Sequence, residues 1–260
     1  MSVGIIGLGM VGGAMWRGFC SLSREVCGYD IDPTRSPDSL EKTLAQDVVF
    51  IAVPSPVDAA GVCDLSAIRS VLAQAAEQQI PGSIVLRSTV PVGTTDAFLA
   101  AFPTLRLGFS PEFLRSERAD ADFLHPVLTV YGGDHANAFF QAMDSLCDSP
   151  ATRIILTTRE AELVKLFLNS FATVKAVFAS QLAQFAESRG LDWTRVIAAA
   201  QHDPRVGHGY LSSHGPDGLP GVGGHCLPKD GRMLMNQLAP GSLLEAALDI
   251  NARLRASSSL

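Results

Sequence analysis

The sequence is short of positive charge. Only four of its 260 residues are lysine (Lys42, Lys165, Lys175 and Lys229), no basic run occurs, and the net charge is −6. That argues against a surface for nucleic acid or an anionic membrane. Cysteine is scarce and odd in number: Cys20, Cys27, Cys63, Cys147 and Cys226 include no CxxC pair. A reducing cytosol fits this better than a disulfide framework. No apolar stretch reaches the roughly 18 residues that a spanning helix needs. The N-terminus lacks a basic segment and its apolar run is broken by glycines, so it reads as strand and turn, not as a signal peptide. Hydrophobic residues, by contrast, make up 47% of the chain against 18% charged, enough for a sizeable core and too many for global disorder. The length suits one large or two small domains. The expectation is a soluble, acidic, cytoplasmic protein.

Short apolar runs alternate with helical stretches up to about residue 156. Strands are expected at Val3–Gly7, Glu25–Asp30, Val48–Val53, Ser83–Ser88, Leu105–Ser110, Val127–Tyr131 and Arg153–Leu156, with helices near 11–20, 64–79, 93–101 and 134–146. Runs such as VVFIAV are apolar almost throughout, as strands buried on both faces of a parallel sheet should be. The pattern predicts a doubly wound, Rossmann-type α/β domain over 1–157. Beyond it, residues 159–188 contain neither glycine nor proline. Leu163, Phe167, Phe171, Val174, Phe178, Leu182 and Phe185 recur there at intervals of 4, 4, 3, 4, 4 and 3, one apolar stripe along a helix. Such a helix would connect two units or pack in a homodimer, and the stripe reads as core and dimer seam. It opens an all-α domain over 158–260, with helices expected near 192–201, 229–238 and 242–255, a Gly/Pro/His-rich loop over 202–228 and a fraying polar tail at 256–259.

Gly7-Leu8-Gly9-Met10-Val11-Gly12 follows the first strand and opens the first helix. Gly7 permits the tight turn, Gly9 lets backbone approach a pyrophosphate, and Gly12 lets helix and strand pack closely. The helix N-terminus then offers unpaired N–H groups and a positive dipole end. Asp30 ends the next strand 18 positions after Gly12, where an acid accepts from the ribose hydroxyls and repels a 2′-phosphate. These residues point to NAD rather than NADP, although Arg35 stands nearby; a structural glycine turn is the bland alternative.

Three further segments can carry chemistry. Ser88-Thr89-Val90-Pro91-Val92-Gly93 follows a buried strand, where α/β sheets place ligands. Glu162, Lys165 and Asn169, spaced 3 and 4, form one polar stripe on the long helix, although a lysine there could merely snorkel to water. Gly221-Val-Gly-Gly-His-Cys226-Leu-Pro-Lys229-Asp230 puts a thiol after glycines, with a cation and a carboxylate just beyond. Cys226 could otherwise be an inert thiol, as the other four cysteines are taken to be. The spacings of His208, His214, His225 and Cys226 match no standard ligand pattern, so no metal is expected.

These segments carry a resemblance. With GIIGLGMVGGAM, VPSPVDAAGVCDLSAI, RSTVPVGTT, FSPEFLRSERADADFLHP, AELVKLFLNSF, DPRVG and GVGGHCLPKD in order, the chain resembles the UDP-glucose/GDP-mannose dehydrogenase family over nearly its whole length. The resemblance implies oxidation of a primary alcohol to a carboxylate in two NAD-dependent steps. Cys226 would attack the aldehyde, giving a thiohemiacetal and then a thioester. Lys165 and Asn169 would stabilise the oxyanion. Asp230 and Thr89 would hold the water chain, Glu112 would act as base for hydrolysis, and Lys229, if close, would favour the Cys226 thiolate. Implied cofactor contacts are Gly7, Gly9, Met10, Val11, Gly12, Asp30, Val53, Pro54, Ser88 and Thr89; implied substrate contacts are Glu112, Phe113, Leu114, Lys165, Asn169, Gly223 and Lys229. Arg205 of Asp203-Pro204-Arg205 would help to order the cysteine loop, or the tripeptide is only a turn.

The chain departs from the family pattern twice. A second glutamate four positions after Glu112 is replaced by Ser116, with Glu117 one residue later; on a helix that step turns the carboxylate by about 100°. The sequence also stops after LLEAALDINARLR, where family members continue into a second Rossmann-like domain, which implies a fragment or a short form acting on a smaller or differently held substrate. The segment HGYLSSHGPDGLPG would lie beside Cys226 and fill part of that gap. Three functions remain open: oxidation of a sugar, nucleotide-sugar or nucleoside-like alcohol; a redox-neutral dehydratase or epimerase with retained NAD; and a non-catalytic NAD-binding subunit.

Overall fold

A computed structural model describes residues 1–22, 25–144 and 152–257. The expected ends of the helix near 134–146 and of the polar tail, and Cys147, lie outside the described residues. The chain divides into two compact units, residues 1–56 with 63–165, and residues 57–62 with 166–260.

The first unit is an α/β sheet of the Rossmann type. Its strands are β1 (Val3–Ile6), β2 (Val26–Tyr29), β3 (Val48–Ile51), β4 (Ser83–Leu86), β5 (Arg106–Phe109), β6 (Leu128–Gly132) and β7 (Thr152–Leu156). Among the described residues they form one sheet in the order β2-β1-β3-β4-β5-β6-β7. All neighbours are parallel except β5 and β6, which meet antiparallel at Phe109 and Gly132. The helices are α1 (Met10–Ser21), α2 (Leu40–Leu44), α3 (Ser66–Glu77), α4 (Thr94–Ala101), α5 (Ala119–Leu124) and α6 (Ala136–Met143). The pleat explains the unbroken apolar strands. Val49, Ile51, Ile84 and Leu86 enter one core with Ile68, Leu72 and Phe98, while Val48, Phe50 and Val85 enter another with Met15, Phe19, Phe123 and Phe139. Successive residues point to opposite faces, and both faces are covered.

Two short helices escaped the sequence reading, α2 and α5. One turn or so of helix gives too little periodicity to detect, although Ser39 caps α2 by accepting from the Lys42 N–H at 3.2 Å.

The long helix is α7 (Thr158–Ser188); its 31 residues span about 46 Å. The second unit takes its part from Leu166 on, with α8 (Trp193–Ala200), α9 (Cys226–Met235) and α10 (Leu243–Ala256). Helix α9 starts three residues earlier than expected. Its Pro228 lies in the first turn, where no intrahelical N–H bond is needed, so proline does not mark the loop's end there. The loop 57–62, between β3 and α3 in sequence, belongs to this unit, because Gly61 packs against the backbone of Arg232 and the side chain of Asn236.

Helix α7 turns its small residues inward. Ala161, Leu166, Ala172, Ala176, Val177, Ala179 and Ala186 are buried, whereas Phe167, Phe171, Phe178 and Phe185 are each more than half exposed. Within one chain the aromatic stripe is therefore not core, contrary to half of the expectation, because alanine allows closer helix approach than phenylalanine. By length and composition alone α7 could cross a membrane, although no unbroken apolar stretch was seen. Half of its apolar window is buried in the fold, and it carries buried Glu162 and Lys165, so it is a core helix.

Candidate functional site

At the glycine-rich turn, a Cβ on Gly12 would fall 1.8 Å from the Gly7 carbonyl oxygen, so the close helix–strand approach demands glycine there. Gly9 has nothing within 4 Å of the same position, which leaves its backbone open to a ligand. It begins α1 without any side-chain cap, and no acid stands in the first turn, so the Met10, Val11 and Gly12 N–H groups face no competing anion there. Asp30 is held in place: one carboxylate oxygen accepts from the Leu8 N–H at 2.6 Å, the other from the Asp32 N–H at 2.9 Å. A cavity of about 630 Å³ opens beside the turn, lined by Leu8, Gly9, Met10, Arg17, Arg35 and residues 116–121. Ser116 thus stands on the wall shared with the glycine turn. The open backbone, uncapped helix and fixed acid fit the phosphates and ribose of a dinucleotide.

Behind this turn, Ser88 donates its hydroxyl to the Val53 carbonyl at 2.6 Å, and Ser55 donates to the Thr89 carbonyl at 2.7 Å. Val53 itself packs against the core, and Pro54 is exposed. These bonds order the two loops that leave β3 and β4.

The unit also buries an ion pair. The Lys165 ammonium, 5% exposed, donates to the Glu112 carboxylate at 2.7 Å and to the Glu112 carbonyl at 2.8 Å. The other Glu112 carboxylate oxygen accepts from the Leu114 N–H at 2.8 Å. Burial alone would push this carboxyl up. The charge and hydrogen bond of Lys165, the Leu114 N–H and the charge of Arg87 outweigh it and hold Glu112 below its ordinary value. Phe113 and Leu114 point their side chains into the two cores. Lys165 does not snorkel to water; it is pinned.

Glu162, one turn earlier on α7, caps α4 from a distance. It accepts from the Gly93 N–H at 2.5 Å, the Thr95 N–H at 2.7 Å and the Thr95 hydroxyl at 2.6 Å, where α4 has no cap of its own. Burial nonetheless raises its carboxyl above the ordinary value, more than these bonds lower it.

In the second unit, Cys226 is the exposed first residue of α9, at the positive end of the helix dipole. Asp230, 1% exposed, lies one turn further on, and its carboxylate accepts from the Asn169 amide at 2.6 Å. The Lys229 ammonium is 2.7 Å from the other Asp230 oxygen. Its charge is thus balanced by Asp230, which weakens the idea that it serves the Cys226 thiolate.

Sequence reasoning missed what holds the cysteine loop. Asn251 of α10, 7% exposed, accepts from the Val222 N–H at 2.6 Å and donates to the Val222 carbonyl at 3.0 Å. Ser180 of α7 accepts from the Gly221 N–H at 2.8 Å and donates to the Ser213 carbonyl at 2.7 Å. Arg255 pairs with Asp217 at 2.5 Å, both against Gly223. An asparagine in the middle of an amphipathic helix was the only sequence signal. Arg205 pairs with its own neighbour Asp203 at 2.6 Å and is 88% exposed, in accord with the turn reading of Asp-Pro-Arg. No group of metal-ligating side chains occurs among the described residues.

A Rossmann-type sheet with a dinucleotide turn is followed by a helical unit led by one long helix. Residues 36–148 match the NAD binding domain of the UDP-glucose/GDP-mannose dehydrogenase family, and residues 159–253 match its central domain. The chain belongs to that family, and its cofactor is NAD. It is 30% identical over 217 residues to UDP-glucose 6-dehydrogenase of Streptococcus pneumoniae, a match covering 79% of this chain and 54% of that protein. With the enzyme of the same name from Campylobacter jejuni it shares 29% over 213 residues, covering 79% and 52%. The chain therefore spans about half the length of the curated relatives it matches. A UDP-glucose dehydrogenase structure from Pyrobaculum islandicum superimposes with a TM-score of 0.83 at 28% identity, over 98% of this chain and 68% of that one. The fold alone is shared with a 3-hydroxyisobutyrate dehydrogenase of Mycobacterium tuberculosis, at TM-score 0.77 and 20% identity, over 98% and 94%.

Two predictions follow from these contacts. Asn251→Leu leaves the Val222 N–H and carbonyl buried without partners, at roughly 1–3 kcal/mol for each group; denaturant unfolding should show a lowered free energy, and an unchanged value would refute the clamp. Glu112 has a folded value below its ordinary 4.5, so its stabilisation is complete above that pH and is lost as pH falls through the folded value. Unfolding free energy measured across that acidic range should therefore fall less steeply for Glu112→Gln than for the wild type.

Proposed function

We propose that the protein oxidises a primary alcohol of a sugar, nucleotide sugar or nucleoside-like substrate, with NAD as cofactor and Cys226 as nucleophile. The observation that carries this reading is the placement of an exposed Cys226 at the start of α9, one turn from an Asp230 that Asn169 fixes. A thiolate there gains from the helix dipole. Bound NAD would accept hydride at each of two oxidations. The Cys226 sulfur adds to the aldehyde carbon, giving a thiohemiacetal whose oxidation leaves a thioester. Lys165 and Asn169 offer donors to the oxyanion. Glu112, kept ionised, takes a proton from the water that cleaves the thioester, with Asp230 and Thr89 ordering that water; the carboxylate leaves and the Cys226 thiol returns. Gly7, Gly9, Met10, Val11, Gly12, Asp30, Val53, Pro54, Ser88 and Thr89 are assigned to the cofactor. Phe113, Leu114, Gly223 and Lys229 are assigned to the substrate beside Glu112, Lys165 and Asn169. We further assign residues 1–157 to cofactor binding, residues 158–260 to dimerisation and the catalytic cysteine, and the protein to the cytoplasm.

The test is NADH formed per substrate consumed, on nucleotide sugars and free nucleosides, with product mass. Two NADH and a carboxylate are expected, with net oxidation lost at least about 10³-fold in Cys226→Ser while NAD binding persists. Substantial oxidation by that variant would sink the nucleophile. Substrate loss without net NADH, giving an isomeric or dehydrated product, would favour the redox-neutral alternative that Ser116 raises; NAD binding without turnover would favour the non-catalytic one.

The exposed aromatic stripe of α7 supports a homodimer formed along that helix. Phe167 and Phe171 stack at 5.8 Å, and a patch of this kind is unusual on a monomer. Phe171→Asp should convert a dimer to a monomer in sedimentation equilibrium; a monomeric wild type would refute the seam.

A further inference from the structure

Arg87, next after β4, is 6% exposed, and neither the glycine turn nor the cysteine loop accounts for it. Its guanidinium donates to the Ser110 hydroxyl at 2.7 Å and to the Pro111 carbonyl at 3.2 Å. Ser110, fully buried, passes a hydrogen bond on to the Val130 carbonyl at 2.7 Å. Arg87 thus clamps the two residues that lead directly into Glu112. The Arg87 Nε–H is buried without a hydrogen-bond partner, so hydrogen bonding alone does not explain an arginine here.

The charges make the second half of the case. Two buried cations, Arg87 and Lys165, act on one buried carboxylate, Glu112. Lys165 faces it from α7, Arg87 from the end of β4, and the Leu114 N–H from its own turn. Burial is severe enough to bring even the Arg87 guanidinium down to about 10, with the Glu112 charge opposing that fall. A protein holds a cation in such a place at a cost in solvation, which hydrogen bonds and a charge interaction together offset.

We propose that Arg87 is a positioning residue for Glu112: its guanidinium fixes the Ser110–Pro111 turn, and its charge, added to that of Lys165, keeps Glu112 a carboxylate. The part concerning catalysis rests on the reading of Glu112 as the hydrolytic base. Lys165 cannot do this alone once its hydrogen bonds turn to an oxyanion, because the carboxylate would then stand in a dry site without a compensating charge. Arg87, bound to backbone and Ser110, stays where it is.

The experiment is a carbon-13 titration of Glu112 in the full chain, its signal identified by its loss in Glu112→Gln. In Arg87→Gln the midpoint should rise, and Arg87→Lys, which restores the charge, should bring it back towards the wild type. Arg87→Met carries the same test if Arg87→Gln does not fold. In turnover, the acid limb of kcat should move up with the midpoint while NAD binding stays unchanged. A midpoint unmoved in a folded neutral variant overturns the proposal, as does a rise in Arg87→Lys equal to that in Arg87→Gln. The titration needs no turnover. A wild type that forms no NADH, yet shows the expected midpoints, would therefore remove the functional reading and leave the electrostatic role of Arg87 standing.

Discussion

A charged side chain can lie inside a protein only if another group meets it, and that constraint organises α7. Three of its polar residues are each met by a different segment. Glu162 caps α4, Lys165 binds Glu112, and Asn169 binds Asp230 on α9. Each bond lies within one unit. Removing any one partner would leave a buried donor or acceptor unmet, which costs more than the bond itself contributes. In the first unit the helix thus fixes the Ser88–Gly93 loop and the Glu112 turn, and in the second unit it holds Asp230 of α9.

The same side chains are the ones to which chemistry is assigned. A buried ammonium is worth far more to an oxyanion than an exposed one, because little water competes with it. The structural demand on Lys165 and the role proposed for it therefore coincide. Cys226 shows the converse: it is exposed, and its loop is held by Asn251 and Ser180 through backbone groups alone.

Much of this was legible in the sequence. VVFIAV announced a strand covered on both faces, and Val48 to Ile51 alternate between two cores. GLGMVG announced the turn, because few other reasons place three glycines between a strand and a helix. The spacing of Glu162, Lys165 and Asn169 put them on one stripe. Other features were not legible. Helices α2 and α5 are too short for a period, and Pro228 disguised the first turn of α9 as loop. The phenylalanine stripe suggested both core and dimer seam, but within the chain the alanine face is the buried one, since hydrophobicity does not say which of two apolar faces a neighbour can approach more closely.

The sequence by itself determined the order of elements and the cofactor turn, because these rest on local geometry and short-range periodicity, and its motifs carried the family. The tertiary structure decided the pairings. Glu162 became a remote helix cap and not part of a reactive stripe, Lys229 turned to Asp230, and Arg87 and Asn251, unremarkable as letters, took control of Glu112 and of the cysteine loop. Apart from the Lys229–Asp230 pair, which joins chain neighbours, those outcomes depend on contacts between residues from 23 to 69 positions apart. Only the closing of the chain brings such residues together, and desolvation then selects which charges meet.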